Sequence, residues 1–188
     1  MILGYFVSGP DNDSFLNEGL YGKNISECLD YIKNRENFIS PDFKIKRTNF
    51  DFSFTYDGAL IVSYRFKDFC NRQKFEHLEF FKLSGQPDFY LFKVNKIIGF
   101  DTNRRKTKFL EYNKNCNEYN EVVGATPVCL NENKSLEDGF YRTDIEFGRG
   151  FAKHPLILLG LNSYELLKKE KIKGIYFKEI LDKYDWEK

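Results

Sequence analysis

Apolar positions along the chain fall mostly at alternating spacing, broken three times by helical spacing, and this predicts short strands with a few helices between them. Residues 2–8 read as a strand, and the Gly-, Asn- and Asp-rich stretch 9–23 as a loop. Asn24 is placed to cap a helix over ISECLDYIKNRE, with Ile25, Cys28, Leu29 and Ile32 as its apolar stripe. Residues 43–56 alternate as one or two strands, with a break near Asp51, and Asp57-Gly58 is a turn. Ala59 to Val62 reads as a buried strand, and Ser63 as the cap of a helix carrying Phe66, Phe69 and Cys70 inward. Strands follow at 75–83 and at 88–101, the second being the longest candidate and central in the expected sheet.

The charged, Asn-rich stretch 102–120 reads as a hairpin or a mobile loop, followed by short strands at 121–124 and 126–130 and a turn from Asn131 to Gly139. Residues 140–148 alternate, with Phe140, Arg142, Asp144 and Glu146 on one face and Tyr141, Thr143, Ile145 and Phe147 on the other. PLILLG is a buried strand starting at Pro155. Ser163 then caps the helix YELLKKEK, which Gly174 closes in a left-handed conformation. GIYFKEIL is the closing strand, and DKYDWEK a frayed end onto which Trp186 can fold back.

Two regions repeat a strand–helix–strand order, beginning at Leu60 and at Leu156. Leu60-Ile61-Val62 matches Leu156-Ile157-Leu158. After a one-residue shift, Phe69 faces Leu166, Leu78 faces Ile175, and Phe80 faces Phe177. A duplication and the chance recurrence of a common unit both account for this echo. The expected fold is α+β in a single domain over 1–188, with a mixed, mostly antiparallel sheet and a few packed helices. A subregion at 1–56 precedes the part that carries the echo.

Composition narrows the class. The chain has 188 residues, enough for a real core, and 20 Phe with 12 Tyr favour pleated, half-buried surfaces. A formal net charge of +1 gives no general case for a nucleic-acid or membrane partner. The basic run Arg104 to Lys108 is read as a solvated turn or strand end. Cys28, Cys70, Cys116 and Cys129 form no CxxC pair and match no zinc spacing, so they are read as reduced thiols in a cytoplasmic protein. The N-terminus lacks the basic start of a signal peptide, and no segment approaches the length of a transmembrane helix. No metal or cofactor is expected, because no ligand cluster or phosphate-cradling loop is present.

Candidate chemistry concentrates in YRTDIEFGRGFAKHP, residues 141–155. His154 precedes Pro155 and is therefore held extended, with Asp144 and Glu146 close in sequence as orienting carboxylates. A nucleophile in recognisable context is missing. His77 reads as a partly exposed sheet residue. The stretch fits either a solvated hairpin edge or a protein-binding surface in which Arg142 and Arg149 contact carboxylates and Tyr141 adds aromatic area.

ALIVSYRFKDF, FEHLEFFKL, DFYLFKVNKIIGFD, FYRTDIEF and LLKKEKIKGIYFKEI occur in this order across the region 57–181. Together they resemble the immunity proteins of bacterial polymorphic toxin systems, in particular the group called immunity protein eleven and its forty-three-like relatives. Two features depart from that pattern. The second strand-to-helix step, LLGLNSYELL, lacks an arginine, and there are no paired CxxC motifs. The resemblance implies a small cytoplasmic α+β protein without catalytic activity that binds and neutralises a cognate toxin domain. Arg142, Ser63 and Arg65 occupy positions of the shared motifs. The expected partner-binding residues are Tyr141, Arg142, Asp144, Glu146, Arg149 and His154, with Arg104 and Arg105 from the 102–112 loop. Two other readings stand beside this one. The first is a small hydrolase or transferase using His154 with Asp144 or Glu146. The second is a small-ligand-binding domain with an aromatic groove.

Overall fold

The computed structural model of the chain describes residues 1–187. Its strands are β1 (Ile2–Ser8), β2 (Phe52–Phe54), β3 (Leu60–Ser63), β4 (Leu78–Lys82), β5 (Phe89–Val94), β6 (Ile97–Ile98), β7 (Lys108–Asn113), β8 (Glu118–Val123), β9 (Phe140–Arg149), β10 (His154–Leu159) and β11 (Tyr176–Leu181). Its α-helices are α1 (Ile25–Lys33), α2 (Tyr64–Arg72), the single turn α3 (Thr102–Arg105) and α4 (Leu161–Glu170). The strands form a seven-stranded sheet, β11-β1-β10-β9-β8-β7 with β6 added beside β9, and a four-stranded sheet, β2-β3-β5-β4. Every pairing is antiparallel except β6 with β9. The fold is α+β and mostly antiparallel sheet.

The sequence echo has a counterpart in the topology. β3 and β4 both pair antiparallel with β5, so the helix α2 joins two parallel strands that flank a third. β10 and β11 both pair antiparallel with β1, so α4 does the same in the other sheet. Each unit also carries an antiparallel neighbour on its leading strand, β2 on β3 and β9 on β10. The matched residues Ile61 and Ile157 pair with the middle strands at Leu91 and Val7 but face opposite ways, Ile61 into the outer core of the small sheet and Ile157 into the core between the sheets. The two units differ in where the middle strand comes from. β5 follows its unit directly, whereas β1 arrives from the other end of the chain.

The two sheets face each other across one core. It joins Val7, Phe140, Ile157 and Leu159 of the large sheet to Phe52, Val62, Tyr90 and Phe92 of the small one, with Phe66, Phe69 and Leu167 from α2 and α4. Phe140 is fully buried at its centre, with ring centroids 5.7, 5.7 and 5.8 Å from Phe66, Phe75 and Phe92. The outer face of the large sheet buries Leu3, Phe100, Val128, Tyr141, Phe147 and Leu158 under loops. The outer face of the small sheet buries Ile61, Leu83, Phe89 and Leu91 beneath Leu16 and Tyr31. β9 is therefore enclosed on both faces along its first residues, Phe140 to Thr143, while Asp144 and Arg149 reach solvent.

Local differences from the sequence reading have local causes. Residues 43–51 do not pair as a strand. Their backbone is held from outside: Ile45 N donates to Gln86 Oε1 and Lys46 N to Ser14 Oγ. The apolar run 88–101 is divided between the two sheets, β5 in the small one and β6 in the large one, with Asn95 and Lys96 at the crossing. Residues 126–130 lie outside the strands apart from a bridge at Leu130. The second capping serine is misassigned. Gly160 caps α4, and the fully buried Ser163 hydroxyl instead accepts a hydrogen bond of 2.7 Å from Gly139 N. The left-handed residue that ends α4 is Lys171, φ 56°. His77 lies outside the strands, exposed and left-handed at φ 61°. The C-terminal segment is anchored rather than frayed, since Tyr184 Oη donates to Val128 O at 2.7 Å and Arg104 Nε to Glu187 at 2.5 Å.

Asn24 caps α1 as expected, with a reciprocal bond donated by Asn24 N to the Glu27 carboxylate, and Ser63 caps α2 through Phe66 N. All four cysteines are free. Phe140→Ala removes the ring at which both sheets and α2 meet, and its expected cost is about 3–5 kcal/mol, the range for deleting a buried aromatic side chain. Equilibrium urea unfolding of the variant against wild type measures it; a loss below ~1 kcal/mol would contradict this packing.

Candidate functional site

Two features stand out from this framework: a polar cavity between the sheets and an aromatic hairpin at the edge of the large sheet. The cavity is about 200 Å³ and lies where β9 and β10 face β3 and β5 beside the end of α1. Apolar walls come from Phe54, Leu60, Leu91, Phe92 and Ile157. The charged groups facing it are Arg35, Arg142, Glu146 and His154, with Lys33, Glu36 and Lys93.

Arg35 is set in place by the 3₁₀ turn Arg35–Phe38 that follows α1. Its side chain is buried and donates to four backbone carbonyls: Ile32 O at 3.1 Å, Asp57 O at 3.1 Å, Phe151 O at 3.4 Å and Lys153 O at 2.6 Å. Its Nε remains buried without a partner among the described residues. Next to it, Asp57 accepts from Leu16 N at 3.0 Å, from Asn17 N at 2.9 Å and from the Tyr31 hydroxyl. Burial first, then this carboxylate, push the Tyr31 phenol upward, so it remains the donor.

His154 opens β10. Its Nδ1 lies 2.9 Å from Ala152 O, which makes Nδ1 the protonated nitrogen and leaves the Nε2 lone pair free. Burial lowers its pKa from the usual histidine range, and Arg35 adds to the depression. Gly58 makes this geometry possible. Its φ is +78°, and a Cβ there would stand 2.6 Å from Ala152 O and 2.9 Å from His154 Nδ1. Glu146 sits opposite Pro155 in the β9–β10 register. Burial raises its carboxyl pKa, against the opposing charges of Arg35, Lys153 and Arg142. Among the described residues no side-chain hydrogen bond holds Glu146 or Arg142, and Arg142 Nε is a second buried, unpartnered donor. A neutral imidazole and an elevated carboxyl in one cavity form a set suited to proton transfer or to holding a polar ligand.

The hairpin β7–β8 is built differently. β7 is the edge of the large sheet. Tyr112 pairs directly with Tyr119, their ring centroids 5.0 Å apart, and the Phe109 ring lies tilted at 5.3 Å from Tyr119. All three rings are exposed, Tyr112 by 48%. Arg149, also exposed, donates to Glu111 at 2.8 Å beside them. A shallow groove of about 880 Å³ separates the tip of this hairpin from the loop Tyr21–Ile25, with Arg149 and Phe151 also lining it.

The residues singled out from sequence thus go to different places. Arg142, Glu146 and His154 line the cavity. Tyr141 is buried in the outer core, where Lys96 Nζ lies 4.4 Å from its ring centroid, and so offers no contact area. Asp144 is exposed and accepts from Phe100 N at 2.9 Å, away from His154. Arg149 joins the hairpin surface. Arg104 is tied to Glu187 and to Asp182 O, and Arg105 to Thr126 O, so both fasten loops. Ser63 and Arg65 converge on Asp51, at 2.7 and 3.6 Å, and Asp51 also accepts from Lys173 N; they tie the two halves together. Sequence reasoning missed Arg35 and Lys153. Arg35 lies in an ordinary-looking polar stretch, and Lys153 sits inside the charged stretch 141–155 with no local signal that marks it as buried.

Among the described residues there is no group of His, Cys, Asp and Glu that could hold a metal, and no helix is long and apolar enough to cross a membrane. Scanning the chain against protein-family models and against curated proteins gave no match.

Two outcomes follow from this geometry. Arg35→Met strands four carbonyls at once and is expected to cost about 2–4 kcal/mol in urea unfolding, whereas Arg149→Met on the surface costs under ~0.5 kcal/mol. His154 has a depressed pKa in the folded state, so the unfolded chain takes up a proton first as pH falls below about 6.5. Its contribution to stability is intact above that pH and is lost on acidification toward the lower folded value. Glu146, with a raised folded pKa, acts in the opposite sense: its contribution is present below the unfolded carboxylate value and is lost as pH rises through the folded one. Unfolding midpoints measured between pH 7.5 and 5.5 should fall less steeply in His154→Asn than in wild type.

Proposed function

We propose that the chain is a non-catalytic immunity protein that binds and neutralises a toxin domain, and that its docking surface is the β7–β8 hairpin with Arg149. One observation carries this reading: a cluster of three exposed, mutually packed aromatic rings at an open sheet edge, flanked by a mixed-charge pair. Aromatic and arginine side chains dominate the energetics of protein interfaces. An edge strand in addition presents unpaired backbone donors and acceptors that a partner strand can meet. The order of strand motifs that resembles immunity proteins supports the same conclusion. Glu111 and Arg149 would orient the partner and steer its approach.

The surface is polar at its rim and rigid beneath. Lys153 is buried under the hairpin and donates to Tyr119 O at 2.9 Å, so the backbone carrying Tyr119 is fixed from below. A partner would therefore meet aromatic groups already ordered, which reduces the entropy lost on binding.

The inter-sheet cavity favours a second reading, a small hydrolase or transferase in which His154 and Glu146 exchange protons with a substrate. The two readings separate cleanly. Tyr112→Ala with Tyr119→Ala and Arg149→Ala should weaken a complex with the C-terminal domain of a secreted protein encoded beside this chain by at least ~100-fold, about 2.7 kcal/mol. The same triple variant should abolish rescue of growth while His154→Asn retains it. An unchanged dissociation constant in the triple variant removes the hairpin from the interface. Failure of His154→Asn to protect would favour the enzyme.

A further inference from the structure

The cavity between the sheets has an electrostatic imbalance that toxin binding does not address. Lys93 and Glu36 pair with each other at 2.5 Å and lie partly exposed beside the exposed Lys33. Inside, two guanidinium groups, Arg35 and Arg142, face one carboxyl, Glu146, while the neighbouring buried carboxylate of Asp57 is taken up by Leu16 N, Asn17 N and the Tyr31 hydroxyl. The Glu146 carboxyl resists ionisation because it is buried. Each guanidinium has a buried Nε that no described residue accepts from. Arg35 is nine-tenths buried and uses its other nitrogens on backbone carbonyls, which bring partial charge but no counter-ion.

A buried guanidinium N–H without an acceptor is unfavourable, and the best remedy is an acceptor that also carries negative charge. A water molecule can satisfy one N–H but brings no charge. The remaining walls, Leu60, Leu91, Phe92 and Ile157, are apolar, so an occupant needs a hydrocarbon body as well as an anionic end. The volume of about 200 Å³ is below that of pockets for drug-sized ligands, ~300–1,000 Å³, and restricts the occupant to a small metabolite.

We infer that this cavity is a binding site for a small organic carboxylate, held by Arg142 and Arg35 with its apolar body against Leu60, Leu91 and Phe92. The fork of donors on the Arg142 guanidinium matches a carboxylate in the plane of the group, and Arg35 adds its single unpartnered Nε–H. Glu146 and His154 flank the anionic end. The free Nε2 lone pair of His154 accepts from a hydroxyl or amino substituent, which gives preference to substituted acids. The site stands apart from the hairpin surface and holds whether or not the chain binds a toxin.

Benzoate is a suitable probe, with benzyl alcohol as the neutral isostere and inorganic phosphate as the competing anion. Titrations of the full chain are followed through the Nε–H signals of its arginines in ¹H–¹⁵N spectra, with Arg142→Met assigning one of them by its disappearance. The expected result is a saturable shift of the Arg142 and Arg35 signals by benzoate, at a dissociation constant of ~1 mM or tighter, and at least ~10-fold weaker binding in Arg142→Met. Equal shifts with benzyl alcohol would overturn anion recognition. Shifts with phosphate but not benzoate would overturn the carboxylate assignment. Signals unmoved at ~10 mM benzoate would leave the cavity to water and end the proposal. The wild-type titration decides the question even if Arg142→Met does not fold.

Discussion

The arrangement depends on one buried cation. Arg35 reaches from the end of α1 into the interior and closes hydrogen bonds to the 57 turn of the small sheet's leading hairpin and to the 151–153 turn of the large sheet. The Lys153 carbonyl lies 118 residues from Arg35 in sequence, and no strand pairs the two turns. The hydrophobic core between the sheets supplies most of the favourable free energy, but it is not directional. The guanidinium fixes how the two sheets meet at this end, and so fixes the walls of the cavity. Gly58 and Asp57 belong to the same device, one by leaving room for His154 and the other by anchoring Tyr31 and the 16–17 backbone.

A division of labour follows. At the closed end of the two-sheet sandwich, polar groups are buried and held in unusual protonation states. At the far edge of the large sheet, aromatic groups are exposed and held rigid. Lys153 connects the two regions. Its carbonyl accepts from Arg35 and its ammonium reaches Tyr119 O and Glu118 under the hairpin. The 141–155 stretch therefore serves both: Arg142, Glu146 and His154 turn to the cavity, and Arg149 turns to the surface.

Much of the strand and helix order was legible in the sequence because alternation and capping act locally. Asn24 and Ser63 cap their helices through bonds to residues two or three ahead, which a sequence can display. The strand–helix–strand echo was legible for the same reason. Errors arose where a distant group decided the outcome. Ser163 looked like a cap, yet its hydroxyl serves Gly139. Residues 88–101 looked like one strand, yet two sheets compete for them. Tyr141 and Arg142 fall on opposite faces by alternation and both looked like binding residues, yet β9 turns Tyr141 into the outer core and Arg142 into the cavity. The site was legible only as a charged stretch. Its completion by Arg35 depends on a contact with Lys153, 118 residues further along the chain, and nothing in the sequence around Arg35 marks it.

The origin of the middle strand in each unit has a consequence for assembly. β2, β3, α2, β4 and β5 are contiguous, so the small sheet can close as soon as that stretch has emerged from the ribosome. The large sheet cannot. Tyr5 pairs with Leu159 on one side and Glu179 on the other, so β1 stays without its neighbours until the second unit has been made. Until then an apolar strand with two open edges must be kept from pairing elsewhere. Translation thus imposes an order, small sheet first and large sheet last, and the cavity between them forms only at the final step.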